Sequence, residues 1–277
     1  MSGRASPLAE GEAENPMAAG RWLAWLSGAI YVFLLLPVTI VLLAAFNAGE
    51  YLTFPPQGLS IRWFTHFFQR PDFTQALRVS LQLAVTSTLM TTVCGTMAAL
   101  ALVRYQFLGK ELLNSYVLSP LILPQILTGV GLLAYFSRIG LMGSFQALLF
   151  GHIVICLPYV VRTVVATLYN FDRSIEEAAQ NLGASAPRAF LAVTLPIIRP
   201  GVAAGAILAF VTSFDNFTLS LFLISPQYTT LPIEVFSYIK NSFDPTAAAA
   251  SAIAVGLTFV ALLLTQRFVG LEAFTGL

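Results

Sequence analysis

Charged residues are scarce in this sequence: Asp, Glu, Lys and Arg together make up 10% of its 277 residues. Soluble domains carry about 25% of such residues, so the deficit excludes an ordinary soluble protein. Hydrophobic residues instead make up 57% of the chain, and its length allows about six membrane-spanning helices with connectors. We therefore predict an all-α integral membrane protein.

Other features that the sequence lacks exclude several kinds of site. The net charge of +1 argues against a nucleic-acid-binding protein. The two cysteines, Cys94 and Cys156, lie in apolar runs and are expected to be buried rather than joined in a disulfide. The sequence has no Cys/His cluster with metal-site spacing and no Gly-rich phosphate-binding loop. We expect no metal, no cofactor and no catalytic residue, so any ATP hydrolysis must come from a partner.

Apolar runs predict six spans separated by polar connectors. The predicted spans cover residues 22–46, 77–103, 112–136, 145–168, 201–224 and 248–269. Residues 1–20 are small, polar and rich in Pro and Gly, which predicts a disordered tail, and residues 21–277 are predicted to form one transmembrane domain. The second span is rich in Ser, Thr and Gly, which favours close helix packing, with hydroxyls bonding across helices or back to their own carbonyls.

Lys and Arg are unequally distributed between the two sides that six spans define. The side of the termini has nine: Arg4, Arg21, Arg104, Lys110, Arg162, Arg173, Arg188, Arg199 and Arg267. The other side has five: Arg62, Arg70, Arg78, Arg138 and Lys240. Because cytoplasmic segments carry an excess of Lys and Arg, both termini and residues 170–200 are predicted to lie in the cytoplasm.

Two predicted spans contain residues that are costly in hydrocarbon. The third has Pro124 followed by Gln125, and the fifth has Asp215 followed by Asn216. A proline frees backbone groups that need partners or a wet cavity, and an ionisable residue inside a span indicates a functional site. These four residues and Phe214, whose ring offers a cation–π surface, are the candidate lining of a solute pathway. A kinked helix, a structural Asp and ordinary aromatic packing are the alternatives.

The polar segment at residues 170–200 separates the fourth and fifth predicted spans. Ser174 and Glu177 have the spacing of a capping box, although Asp172 competes as the N-cap. The helix that they begin is expected to stop at Gly183, because glycine readily adopts the left-handed conformation found after helix C-termini. The segment therefore starts with a short, well-delimited helix.

A second short helix would complete a compact cytoplasmic projection. It should start after Ser185 and end before the fifth span because of Pro196 and Pro200. The first helix is expected to expose a polar ridge made of Glu176, Glu177, Gln180 and Asn181. Small Ala178 and Ala179 would let a partner surface come close, so the projection could pass rigid-body motion to the spans. A surface or re-entrant loop without a partner is the alternative.

Residues 177–183 read EAAQNLG, and VTLP follows at residues 193–196. The order and spacing resemble the EAA motif of binding-protein-dependent ABC transporter permeases, in which E-A-A, a glycine and a later Leu-Pro pair occur at set distances. In that family the motif forms the coupling helix, which sits in a cleft of a separate ATPase. The resemblance assigns coupling to Glu176, Glu177, Ala178, Ala179, Gly183, Leu195 and Pro196.

The resemblance covers roughly residues 20–270, including PLILPQILTGVGLL and SFDNFTLSLFL, and is to the second permease subunit of spermidine/putrescine importers. It implies a six-helix type I permease in the bacterial inner membrane, with a homologous second permease, two ATPase subunits and a periplasmic solute-binding protein. The implied solute is a polyamine or a related amine or amino-acid-like compound. Similar subunits carry phosphonates, thiamine or ferric ion, and a secondary transporter that works without an ATPase is a further alternative.

Overall fold

The computed structural model describes residues 16–269 apart from Leu52, Phe54 and Phe243, with side chains from Trp22 to Leu264. Helices dominate this part of the chain. They are α1 (Pro16–Ala45), α2 (Arg62–Gln69), α3 (Pro71–Arg104), α4 (Lys110–Ile122), α5 (Gln125–Arg138), α6 (Phe145–Tyr169), α7 (Arg173–Asn181), α8 (Ala186–Ala189), α9 (Leu195–Phe214), α10 (Thr218–Leu223), α11 (Leu231–Asn241) and α12 (Thr246–Val269). A π-helical turn, Phe190–Thr194, joins α8 to α9.

Five of these helical segments are long and apolar enough to cross a membrane. They are Trp22–Ala45, Pro71–Arg104, Phe145–Tyr169, Ala186–Phe214 and Thr246–Leu264. The pair formed by α4 and α5 passes the same test jointly and supplies a sixth crossing if it counts as one broken span. The all-α, multi-span architecture predicted from the sequence is therefore confirmed.

The helix that contains the first span begins earlier than expected. Residues 1–15, most of the predicted tail, lie outside the described residues. The α1 helix starts at Pro16, so residues 16–20 are helical and do not belong to a disordered tail. Proline suits this position because its missing N–H would have no partner in the first helical turn.

The third span, predicted as one helix over residues 112–136, is broken. The α4 helix ends at Ile122, α5 begins at Gln125, and their axes differ by 111°. Leu123 is extended, with ψ at 138°, because the ring of the following Pro124 disfavours the helical conformation of the preceding residue. The proline thus produces a sharp break and not a mild kink.

The fifth span, predicted over residues 201–224, is displaced toward the N-terminus. A continuous helical stretch runs from Ala186 to Phe214, so the prediction that Pro196 and Pro200 end a separate helix is wrong. Pro196 lies in the first turn of α9, where a missing N–H costs little. The wider π-helical turn just before it leaves the Leu195 N–H bonded to the Phe190 carbonyl.

The core consists of α3, α6 and α9, which pack against one another. Glycines allow the close approach: a Cβ at Gly205 on α9 would lie 2.5 Å from the Thr163 Oγ1 and 2.8 Å from the Val160 Cα. Gly95 on α3 approaches Val160 from the other side, where a Cβ would lie 2.8 Å from its Cγ1. The three helices therefore form a tightly packed unit in which one methyl group has no room.

Only some hydroxyl groups on α3 make the hydrogen bonds predicted for them, either to another helix or to their own helix. Thr86 donates to its own helix at the Gln82 carbonyl, at 2.7 Å, and Ser87 donates across to Ser213 Oγ on α9, at 2.9 Å. Among the described residues, the buried α3 hydroxyls without a hydrogen-bond partner are those of Thr88, Thr91, Thr92 and Thr96. The interhelical bond from Ser87 is the one that bears on the site described below.

Gly205→Ala is expected to destabilise the fold, because the new methyl group meets the α6 backbone and cannot be accommodated by a side-chain rotation. Overpacking of this kind costs about 1–3 kcal/mol. The matched control is Gly256→Ala on α12, where a Cβ meets nothing within 4 Å. Thermal unfolding of the purified proteins in detergent should show a lower midpoint for Gly205→Ala alone. Equal midpoints would contradict the proposed close packing.

Candidate functional site

The α7 helix, which carries the EAA segment, is capped by Asp172. Its side chain accepts a hydrogen bond from the Ser174 backbone N–H at 2.9 Å, so the predicted capping box of Ser174 and Glu177 is wrong and the competing cap is correct. Glu177 instead pairs with Arg173 at 3.4 Å, with both side chains more than half exposed. An exposed pair of this kind adds little stability, which leaves the Glu177 carboxylate available to a partner.

Gly183 ends α7 as predicted. Its φ is 96°, in the left-handed region that glycine adopts readily. The Gly183 N–H bonds to the Gln180 carbonyl at 2.9 Å, and the Ala184 N–H bonds to the Ala179 carbonyl at 3.1 Å. This pair of bonds is a Schellman motif, which fixes the direction of the chain as it leaves α7.

Glu176 is buried, which contradicts its predicted place on an exposed ridge. Its carboxylate accepts hydrogen bonds from the Arg104 guanidinium, one of them at 3.1 Å, and from the Thr194 hydroxyl. Arg104 Nη2 also lies 3.3 Å from Thr194 Oγ1. The carboxylate therefore joins the C-terminal end of α3 to the π-helical turn that precedes α9.

The protonation of Glu176 follows from these contacts. Burial raises the pKa of the carboxyl, but the bonds from Thr194 and Arg104 and the charge of Arg104 outweigh burial and hold the pKa below its ordinary value of 4.5. The ionised form therefore contributes stability above that value, and the contribution is lost as the pH falls through the lowered pKa.

The exposed surface of α7 includes an apolar stripe beside its polar residues. Ile175 is 48% exposed and Leu182 is 90% exposed, and Ala178 lies exposed between them. Their spacing places the three on one side of a helix; we call them the α7 stripe. An exposed apolar stripe of this kind is a candidate interaction surface, and it lies on the same helix as Glu177, Gln180 and Asn181, the three residues of the predicted polar ridge that are exposed.

The other residues assigned to coupling take separate places. Ala179 is half-buried. Leu195 is partly buried against the core at the start of α9, whereas Pro196 is exposed beside it. The Leu-Pro pair is therefore part of the base of α9, directly after the Thr194 contact to α7.

A second group of functional candidates lies where two broken helices meet. The first break precedes α5 at Pro124, and the second, residues 215–217, separates α9 from α10. The Asn216 Nδ2 donates to the Gln125 Oε1 at 3.3 Å, and the Asn216 Oδ1 accepts from the Leu219 N–H at 2.8 Å. Asn216 thus joins the two breaks, and transporter binding sites are typically built from discontinuous helices of this kind. Pro124 itself is exposed.

His152 on α6 connects both sides of the second break. Its Nδ1 lies 2.8 Å from Ser213 Oγ, before the break, and its Nε2 lies 3.2 Å from Ser220 Oγ, after it. The Ser220 hydroxyl donates to the Asn216 carbonyl at 2.7 Å and Ser87 donates to Ser213. These directions assign the proton to Nε2, so a neutral imidazole completes one continuous hydrogen-bond chain.

Asp215 and Phe214 lie at the edge of a cavity of about 540 Å³ between α9, α11 and α12. Its walls are apolar apart from Asp215, Ser251 and Thr258. Asp215 is exposed, whereas Phe214 is buried and stacks on Phe210 with ring centroids 5.7 Å apart. Asp215 therefore supplies the one carboxylate of this cavity, and Phe214 forms part of its wall.

The structure brings some predicted residues together and adds others. Glu176 contacts the segment before Leu195, and Gln125 contacts Asn216, whereas Asp215 faces a separate cavity. Sequence reasoning missed Arg104, Thr194 and His152 as members of these sites. The sequence offered one hint that Arg104 has a buried partner: a second acid, Glu176, stands directly before the glutamate of the EAA segment. Among the described residues, no three His, Cys, Asp or Glu side chains form a group that could hold a metal ion.

Residues 91–270 match the family described as binding-protein-dependent transport system inner membrane component. The chain belongs to this family. The resemblance inferred from the EAA segment is thereby confirmed, and the chain is a multi-pass membrane permease that takes part in transport.

This permease is similar to two curated relatives in sequence and to one solved structure in fold. The spermidine/putrescine transport system permease protein PotC of Escherichia coli (strain K12) is 34% identical over 238 residues, covering 86% of this chain and 90% of that protein. The putrescine transport system permease protein PotI of the same strain is 31% identical over 233 residues, covering 82% and 83%. A chain of a bacterial alginate ABC transporter, crystallised with an alginate pentasaccharide-bound periplasmic protein, has a TM-score of 0.71 at 17% identity, covering 96% of this permease and 100% of that chain. At that identity the likeness concerns the fold alone.

His152→Phe is expected to destabilise the permease, because Ser213 and Ser220 would each lose their partner across the second break. Ser213 keeps its bond from Ser87 and Ser220 keeps its bond to the Asn216 carbonyl, so each serine loses one hydrogen bond, which costs about 0.5–1.5 kcal/mol. The control is His66→Phe: His66 is partly exposed and makes one side-chain bond, to Thr246 at 2.9 Å. The thermal unfolding midpoint in detergent should fall clearly further for His152→Phe. A smaller loss than in the control would rule out a bridging role.

Proposed function

We propose that this permease is one of two homologous transmembrane subunits of an ATP-driven importer of polyamines. Two copies of a separate ATPase supply the energy, and a periplasmic solute-binding protein delivers the solute. The α7 stripe is the observation that carries the proposal, because it is an exposed apolar surface on a helix that is rigidly fixed to the spans.

The α7 stripe suits a protein surface better than it suits lipid. Exposed charges on the same helix, at Arg173 and Glu177, stand beside the stripe. The small side chain of Ala178 lets another backbone come close. Burial of Leu182 alone would stabilise a complex by about 1.5–3 kcal/mol. We place the stripe in a cleft of the ATPase, with Glu177, Ala178 and Gly183 at the contact, so that closure of the ATPases pushes α7 and switches the spans between two states.

The orientation follows from charge and from the same contact. The six-span prediction puts nine Lys and Arg residues on the side of α7 and five on the other, which favours α7 and both termini in the cytoplasm. A cytoplasmic α7 is accessible to an ATPase there, and the opposite face is left for a periplasmic binding protein. The bacterial inner membrane is the location that fits this arrangement.

A polyamine is the solute that the cavity beside Asp215 favours. A carboxylate among apolar walls suits a ligand that combines ammonium groups with methylene chains, since each part meets its counterpart. PotC and PotI are named for spermidine and putrescine, which supports polyamines over the phosphonate, thiamine and ferric-ion alternatives. Asp215 is proposed to bind an ammonium group during passage, while Asn216 and Gln125 hold the breaks in place.

Leu182→Asp is expected to weaken association with the ATPase by about tenfold or more, because the loss of one buried leucine corresponds to at least that factor. The matched control is Leu108→Asp, since Leu108 is a fully exposed leucine in the connector between α3 and α4. ATPase that co-purifies with the tagged permease in the co-expressed complex is the quantity to measure. Retention equal to the control would contradict docking at the α7 stripe.

Gly183→Val and Glu177→Lys should both lower solute uptake without removing the permease from the membrane. Valine is strained at a φ of 96°, and lysine reverses the charge offered at the contact. Uptake by cells that express the full transporter, normalised to permease in the membrane fraction, gives the comparison. Normal uptake by both variants would exclude a coupling role for this end of α7.

Asp215→Asn is expected to lower the maximal rate of spermidine or putrescine uptake about fivefold or more, since a charged hydrogen bond contributes about 1.5–3 kcal/mol and the KM is set by the binding protein that delivers the solute. Asp72→Asn, which removes an exposed carboxylate at the start of α3, is the control. Uptake of radiolabelled polyamine by the assembled transporter measures both. An unchanged maximal rate in Asp215→Asn would show that this carboxylate does not bind the solute during passage.

A further inference from the structure

Three separate elements converge on one buried carboxylate at the inner end of the helix bundle. Arg104 is the last residue of α3, Glu176 lies in the first turn of α7, and Thr194 ends the π-helical turn before α9. Both terminal nitrogens of Arg104 bond to Glu176. Arg104 and Glu176 each also bond to the Thr194 hydroxyl. We call these three residues the Arg104 link.

Burial distinguishes this contact from the other ion pairs. The Arg104 and Glu176 side chains are 17% and 8% exposed, whereas the remaining ion pairs among the described residues have side chains at least 35% exposed. Removing one partner of a buried pair leaves an uncompensated charge, so the two groups hold each other in place. The two-nitrogen contact of a planar guanidinium also fixes orientation, which a single point charge does not.

The connectors of α7 offer no comparable restraint. On one side the chain is non-helical from Asn170 to Asp172, and on the other from Leu182 to Ser185. A push on α7 could therefore be absorbed by rotation in these two short stretches. The Arg104 link bypasses both stretches, because it connects Glu176 of α7 directly to the end of α3 and to the turn before α9.

We propose that the Arg104 link transmits the movement of α7 to α3 and α9, making Arg104, Glu176 and Thr194 positioning residues for transport. The proposal rests on the proposed coupling of α7 to an ATPase. It goes beyond docking, because it concerns how a displacement that has reached α7 enters the membrane. Since α3 and α9 pack together with α6, a displacement delivered through the link moves the core as one body.

The test uses the complete transporter with Glu176→Gln and Arg104→Gln. Glutamine keeps the approximate size of Glu176 but removes the charge. Arg104→Lys is the conservative variant, because it keeps the charge without the forked geometry. Arg62→Gln, which breaks an exposed ion pair with Glu50 at 3.8 Å on the opposite face, is the control. Four quantities are measured: ATPase retained on the permease, basal ATP hydrolysis, hydrolysis stimulated by the loaded solute-binding protein, and uptake.

The ratio of stimulated to basal hydrolysis is the decisive quantity, since a smaller folded fraction lowers both rates equally and leaves the ratio unchanged. Both glutamine variants should retain the ATPase while the ratio and the uptake fall about fivefold or more, a typical size for coupling between sites. Arg104→Lys should give an intermediate ratio and Arg62→Gln the wild-type ratio.

Two results would overturn the proposal in different ways. Glutamine variants that retain the ATPase and keep the wild-type ratio would remove the link from the transmission route and leave docking at the α7 stripe intact. A wild-type permease that retains no ATPase would overturn the proposed function itself, and with it any role for the link in coupling.

Discussion

Hydrocarbon offers no hydrogen-bond partner to a backbone or side-chain polar group, and this constraint governs both interruptions of the spans. The chain leaves the helical conformation at Pro124 and again at residues 215–217. Side chains from neighbouring helices then meet the need for partners: Asn216 reaches Gln125, and His152 reaches serines on both sides of the second break. Asn216 also accepts from the Leu219 N–H, so one side chain satisfies a backbone group after the second break and contacts the residue that follows the first.

Hydrogen bonds between helices also require that the helices pack closely. Donor and acceptor must stay within about 3 Å of each other, so the helices that carry them cannot drift apart. Gly95 and Gly205 let α3 and α9 approach Val160 and Thr163 on α6, and the hydrogen bond from Ser87 to Ser213 joins α3 to α9 directly. Three helices held in this way are the unit that the proposed coupling would move, and one stiff contact from α7 is sufficient for it.

The sequence predicts best where a single physical preference decides. Long apolar runs located α3, α6 and most of α1, and the left-handed preference of glycine located the end of α7 at Gly183. Prediction failed where two preferences competed. Prolines at 196 and 200 indicated a helix end, but the first-turn position of Pro196 and a π-helical turn allowed the helix to continue. Asp172 outcompeted Ser174 as a cap. Glu176 read as an exposed acid because its partners lie 72 and 18 residues away in sequence, a distance that no local pattern spans.

The cavity beside Asp215 also explains why one chain is insufficient for the proposed solute. A polyamine carries more than one ammonium group, and each charge brought into an apolar cavity needs a counter-charge or hydrogen bonds. Among the described residues that line this cavity, Asp215 is the one carboxylate, and the neighbouring position is the neutral Asn216. If the solute passes here, its other charges must be met by groups outside this cavity. A homologous second permease facing the same pathway can supply them, so charge balance and the proposed pairing of two permeases lead to the same arrangement.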